Sequence, residues 1–289
     1  MELRPVLKNT AALGIASVLS KAIAAIVGIA VTRYLGKEPF GEYSSAYAFV
    51  STFILFTDFG LSQLMVQEGS RDESVLPVYL GTTLLFKTFT AAGVYVLMLW
   101  LMHPAGYNLS IRSMVVILGV SSGLNALQAT FYNYFQAKQQ MYKAAAYQFL
   151  STFLIGALTI GVLLAGGNVV MITLTHLGTN ILMTVLLFLA VRELKLKVDL
   201  RRMSWMLRHG LSFGIAYIFY NIYFQIDSVM LSIMRTPAEV GVYSAAYRLI
   251  SITLFIPGVV PVFSTLSCSS SVLPARPGTR KLSKRFSKC

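Results

Sequence analysis

Charge is scarce in this chain. Only 12% of its 289 residues are Asp, Glu, Lys or Arg, whereas 56% are hydrophobic. No soluble core of that length can hide so much apolar surface, so most of it must face lipid. Cysteine is almost missing: Cys268 and Cys289 both stand in the last stretch, which excludes a disulfide framework and a cysteine metal centre. Three histidines without clustered partners exclude a histidine-based metal site. There is no glycine-rich phosphate loop with its lysine, and no polar connection long enough to house a transferase site. Enzymatic activity and a bound cofactor are therefore not expected. The net charge of +13 comes from basic residues lying between and after apolar runs, not on one soluble face, so membrane orientation explains it and nucleic acid does not.

What the chain does have is a series of apolar runs near the roughly 20 residues that cross a hydrocarbon layer. Eight are found, near 11–33, 41–62, 79–101, 113–135, 145–165, 169–191, 210–232 and 241–263. Spans of this length in lipid must satisfy their own backbone, which predicts an all-α polytopic membrane protein of about eight transmembrane helices. The first run is too long for a signal-peptide core and is expected to remain as a span.

The chain also repeats itself. Gly41-Glu42-Tyr43-Ser44-Ser45-Ala46-Tyr47 returns as Gly241-Val242-Tyr243-Ser244-Ala245-Ala246-Tyr247, with six identities over the eleven positions from each glycine. At the same offset of 200, Leu7-Lys8 through Gly14-Ile15-Ala16 matches Leu207-Arg208 through Gly214-Ile215-Ala216. Six spans, an even number, separate the copies, so the repeats are parallel and related by an axis along the membrane normal. The expected organisation is a first six-helix lobe at 1–191, a basic cytoplasmic linker at 192–209, the first two helices of a second lobe at 210–266, and a basic disordered tail at 267–289. A repeat of about 200 residues taken twice needs about 400. The missing spans and the altered tail composition are therefore read as a truncation with a frameshift near Leu266. The DNA downstream, read in the other two frames, tests this: no further apolar spans there would contradict it.

With the N-terminus inside, eleven loop cations fall on the cytoplasmic side (Arg4, Lys8, Arg71, Lys138, Lys143 and six from Arg192 to Arg208) against four outside. Trp100 and Trp205, near span ends, read as interfacial anchors. Pro257-Gly258 and Pro261 predict a kink in the eighth span.

Ionisable residues within spans carry the sharpest functional signal, because each costs a few kcal/mol in lipid unless it meets water or a partner. Five qualify: Lys21, Asp58, Lys87, Asp227 and Arg248. Lys21 lies about 15 Å from either end of its span, which points to a polar cavity near the midplane ahead of the alternative, a buried structural pairing. Two readings stand for Lys87, a second cavity cation or a salt bridge to Asp58. Asp227 and Arg248 read first as a structural pair on adjacent spans, and Arg248 also qualifies as a third cavity cation. If Lys21, Lys87 and Arg248 share one cavity, its positive field suits an anion such as a diphosphate. Tyr132 and Tyr220 are placed to offer rings and hydroxyls to a sugar. His176 and Asn180 read as interhelical packing groups.

Arg33-Tyr34-Leu35-Gly36, then Phe40-Gly41-Glu42-Tyr43, then Asp58-Phe59-Gly60-Leu61, followed in the second half by Gln225-Ile226-Asp227, Gly241-Val242-Tyr243 and Ala246-Tyr247-Arg248, carry a family likeness. The sequence resembles the polysaccharide-type flippases, such as O-antigen flippases, of the multidrug/oligosaccharidyl-lipid/polysaccharide exporter superfamily. That resemblance implies a multi-pass protein of a bacterial or archaeal plasma membrane that moves a polyprenyl-diphosphate-linked oligosaccharide to the outer leaflet. It also implies alternating access around a cationic cavity and a coupling ion, and Lys21 best matches a cavity cation. Members have twelve or more spans. Three rivals stand beside this reading: a cation-coupled drug or metabolite exporter of the same superfamily, an integral-membrane glycan polymerase or ligase, and an inactive remnant.

Overall fold

The computed structural model describes residues 3–104, 106–194 and 196–247. Among them are helices and turns and no strand, as the apolar runs require. The helices are α1 (Leu3–Leu35), α2 (Lys37–Ile54), α3 (Leu61–Arg71), α4 (Leu76–Leu101), α5 (Leu109–Ala137), α6 (Met141–Leu164), α7 (Val169–Ala190) and α8 (Leu200–Met234). A further helical stretch occupies 237–247. Connections are short, and each of the polar starts of α5 and α7 is capped by an asparagine: Asn108 accepts from the Ile111 N–H at 2.8 Å, and Asn168 from the Met171 N–H at 3.0 Å.

Five described helices are long and apolar enough to cross a membrane, namely α1 from Ala16, α4, α5, α6 and α7; α2 and α3, bent by 47°, make a sixth span if taken together. Counted so, they fall within 1–191, the range expected for the first lobe, and α5 lies at their centre, packed on α2, α3, α4, α6 and α7. Two apolar clusters fill the lobe. One, around Phe40, Met114 and Ile172, lies at the end where α1 meets α2; the other, around Leu61, Phe131 and Leu187, lies at the opposite end.

The second copy begins as the offset predicts. α1 ends at Leu35 and α8 at Met234, and the next helices start at 37 and 237. The stretch read as a linker is shorter than its charge suggested, since α8 begins at Leu200, capped by Asp199, which accepts from the Arg201 and Arg202 N–H groups at 2.9 and 3.1 Å. The linker is also pinned: Lys197 donates its N–H to the Pro77 carbonyl at 3.2 Å and Asp199 to the Thr82 hydroxyl at 3.2 Å. The eighth span is described only to Tyr247, so its kink, Arg248 and the tail lie outside the described residues.

The second span is not one straight helix. Asp58-Phe59-Gly60 breaks it: Phe59 has φ 47° and Gly60 φ 79°, both left-handed, and α3 restarts at Leu61.

Candidate functional site

The break in the second span gathers the first group of polar residues. Asp58, two residues before the N-cap Gly60 of α3, accepts from the Ser62 N–H at 3.3 Å and from the Ser62 hydroxyl at 2.9 Å. Lys87 reaches across from α4 to Asp58 at 3.0 Å, and its ammonium also donates to the Ser62 hydroxyl at 2.8 Å and the Ala126 carbonyl at 3.2 Å. Three acceptors match the three N–H groups of an ammonium. Lys87 is 2% exposed. The ion pair, one of the two readings open for this residue, is therefore what the fold builds, and Lys87 is sealed between helices instead of lining an open cavity with Lys21.

The same break meets the second repeat. A Cβ on Gly60 would overlap the Gly210 carbonyl and lie 2.7 Å from the Gly214 nitrogen, and one on Gly214 would lie 2.6 Å from the Phe59 carbonyl carbon. Backbone thus touches backbone between the broken span and α8, the use of small residues that membrane helices favour at close crossings.

A second crossing lies at the other end of the bundle and is reciprocal. A Cβ on Gly41 would overlap the Pro237 carbonyl and lie 2.9 Å from the Gly241 nitrogen; one on Gly241 would overlap the Lys37 carbonyl and lie 3.1 Å from the Gly41 nitrogen. Adding the repeat offset of 200 to 37 and 41 gives 237 and 241, so each helix offers the other the same surface. The tyrosines that follow repeat in space as well: Tyr43 and Tyr47 stack at 6.3 Å and 27°, Tyr243 and Tyr247 at 6.0 Å and 20°. Around this crossing, Tyr107 shares a hydrogen bond of 3.0 Å with the Ser232 hydroxyl on α8. Glu42 accepts from Asn108 and from the Ser110 hydroxyl, both at 2.6 Å, tying α2 to the start of α5.

Within the lobe, a third polar group joins α5 to α7. The Gln128 amide donates to the Asn180 carbonyl at 2.9 Å and the Thr184 hydroxyl at 3.1 Å, while the Asn180 amide donates to the Ser121 hydroxyl at 2.8 Å. Tyr132 donates to the Gln128 side chain at 3.4 Å, so its hydroxyl belongs to this network. Asn180 was legible as a cross-helix group. Its partner Gln128 was missed, and the only signal was an uncharged amide in the middle of a span. His176 faces Tyr43, ring to ring at 6.4 Å.

The remaining expected residues are dispersed. Lys21 is exposed on α1. Gly156 of α6 meets the Ile23 and Val27 side chains, and Lys21 lies about 200° around the helix from Ile23, on the side turned away from α6. Asp227 accepts a hydrogen bond from the Tyr243 hydroxyl, a contact between α8 and the next helix. Tyr220 is on α8 with its side chain outside what is described, as is Arg248. No group of three or more potential metal ligands occurs among the described residues.

Two stretches related by the repeat offset meet across these glycine crossings, and a similar helical framework is found in solved structures. The fold is similar to an outward-facing multidrug resistance MATE family transporter of the MOP superfamily, with a TM-score of 0.61 and 14% identity over 92% of this chain. It is similar also to a MATE protein in complex with Br-NRF, with a TM-score of 0.64 and 15% identity over 93% of this chain. A third likeness, with a TM-score of 0.55 and 14% identity over 84% of this chain, is to a MOP superfamily transporter from Pyrococcus furiosus described as having a binding pocket of reversed polarity. The chain spans 65% of the length of the first and third of these structures and 68% of the second. A sequence profile of polysaccharide biosynthesis proteins matches residues 6–267, and the chain belongs to that family. No curated protein sequence matches it.

Proposed function

We propose that the protein is a transporter that moves a polyprenyl-diphosphate-linked oligosaccharide across a bacterial or archaeal plasma membrane for cell-surface polysaccharide synthesis, without itself catalysing glycan transfer. The family match over residues 6–267 carries this reading, because lipid-linked glycans must cross the bilayer before a surface polysaccharide is assembled. Alternating access would rock the two parallel repeats about their shared seam, drawing on an ion gradient. Loop charge supports a cytoplasmic N-terminus. Exposure of Lys21 on the side of α1 turned from α6 supports its role as a cavity cation, with Arg248, Tyr220 and Tyr132 as further substrate contacts; Asp58 and Lys87 serve the frame that moves, and Asp227 is the acid nearest the seam.

Cells lacking their own lipid-linked glycan flippase provide the test. Expression of this chain should restore surface polysaccharide and reduce the lipid-linked intermediate held inside. Unchanged accumulation, with the protein inserted in the membrane, contradicts the proposal. Export of a cationic drug without any change in the lipid-linked pool would favour the drug-exporter reading.

A further inference from the structure

The turn after α8 leaves a cavity of about 500 Å³ against the start of α2, beside the Gly41–Gly241 crossing. Leu231 and Val242 give its lining an apolar part, and Lys37 and Arg235 a basic one. Both cations are exposed, and among the described residues neither makes an ion pair. The one carboxylate in the lining, Glu239, is engaged: it accepts from the Thr236 N–H at 3.1 Å and from the Thr236 hydroxyl at 3.3 Å, a capping box with Pro237 in the first turn. Tyr243, also in the lining, gives its hydroxyl to Asp227. The lining therefore offers a ligand two cations over an apolar cleft, one from each repeat, with the Glu239 carboxylate held beside them by its own cap.

Their depth narrows the chemistry. Lys37 opens α2 and Arg235 closes α8, so both lie at the end of a span, the level at which lipid phosphates sit and the cleft below meets acyl or prenyl chain. Guanidinium and ammonium together suit phosphate oxygens, the first as a bidentate donor and the second as a point charge. A diphosphate brings a negative charge on each of two phosphates and so meets both cations, whereas a simple phospholipid brings one.

We infer that the Lys37–Arg235 cavity holds the diphosphate of a polyprenyl-linked glycan where it passes the seam between the repeats. This rests on the substrate class proposed above and adds a docking point outside the central cavity expected around Lys21. Because one cation comes from each repeat, a bound diphosphate would bridge the Gly41–Gly241 crossing and favour its closed form.

The test uses the full chain in nanodiscs of neutral phosphatidylcholine, with bare polyprenyl diphosphate as probe and phosphatidylglycerol as competitor. Wild type should bind the diphosphate. Lys37→Gln with Arg235→Gln should weaken binding by about tenfold or more, Lys37→Arg should retain it, and phosphatidylglycerol should displace it only in large excess. Both positions are exposed, so the thermal midpoint should not move, which separates lost binding from lost folding. Equal binding by the double variant overturns the inference and leaves the transport proposal standing. Displacement by phosphatidylglycerol at equal concentration also overturns it, marking a general anionic-headgroup site. Failure of the wild type to bind the diphosphate at all removes the proposed substrate class, and this site with it.

Discussion

Gly41 and Gly241 lie two hundred residues apart, and each places its backbone where the other's helix leaves no room for a side chain. The contact is reciprocal, Gly41 on Pro237 and Gly241 on Lys37, so the internal repeat is also a pseudo-two-fold interface. Gly41→Ala and Gly241→Ala should therefore each force the helices apart and cost similar amounts, about 1–3 kcal/mol. The double variant should cost less than their sum, because the first methyl already opens the gap that the second needs. Thermal unfolding in detergent measures all three; unequal single effects that add fully would contradict a reciprocal contact.

Asp58 and Lys87 should not be equivalent as deletions. Asp58→Asn leaves a buried ammonium with only neutral acceptors, at a cost of about 3–5 kcal/mol. Lys87→Met leaves a carboxylate whose side chain is 28% exposed and still held by Ser62, so its cost should be smaller. Melting temperatures of the two variants check the order, and a more damaging Lys87→Met would show that the pair is not organised around the buried lysine.

How much of this was legible in the sequence differs by residue type. Helical spans, the repeat offset and the pairing of Asp58 with Lys87 could be anticipated, because charges inside apolar runs are few and must find partners. The break at Phe59-Gly60 was hidden, since Asp58-Phe59-Gly60-Leu61 is apolar enough to read through as a span end, and its left-handed backbone leaves no mark on hydropathy. The seam itself was invisible: glycines announce close approach but do not say to what.

Gln128 and Asn180 hold α5 against α7 with both side chains buried, at 0% and 4% exposure. Gln128→Leu and Asn180→Leu should each destabilise by about 1–2 kcal/mol, with strong non-additivity in the double variant since they share one network. Glycan export at permissive temperature should persist in the single variants. Complete loss of export with unchanged melting would instead give the amides a direct part in substrate contact.

Lys21 carries the expectation of a cavity cation. Lys21→Ala should abolish export of surface glycan while leaving membrane insertion and thermal midpoint unchanged, and Lys21→Arg should restore part of it. Immunoblots of membrane fractions together with surface-glycan staining give both readings. Full export by Lys21→Ala would remove Lys21 from the transport path.

The most direct measurement is lipid-linked oligosaccharide movement in vesicles. Liposomes loaded with a radiolabelled polyprenyl-diphosphate oligosaccharide in both leaflets are treated with an external glycosidase that cannot cross the bilayer. Without protein, only the outer-leaflet pool is cleaved. With the purified chain and an imposed ion gradient, transport predicts that cleavage proceeds beyond that pool, and that Lys21→Ala returns it to the protein-free level. Cleavage that stops at the outer-leaflet pool in the presence of folded, inserted protein would contradict lipid-linked glycan transport by this chain.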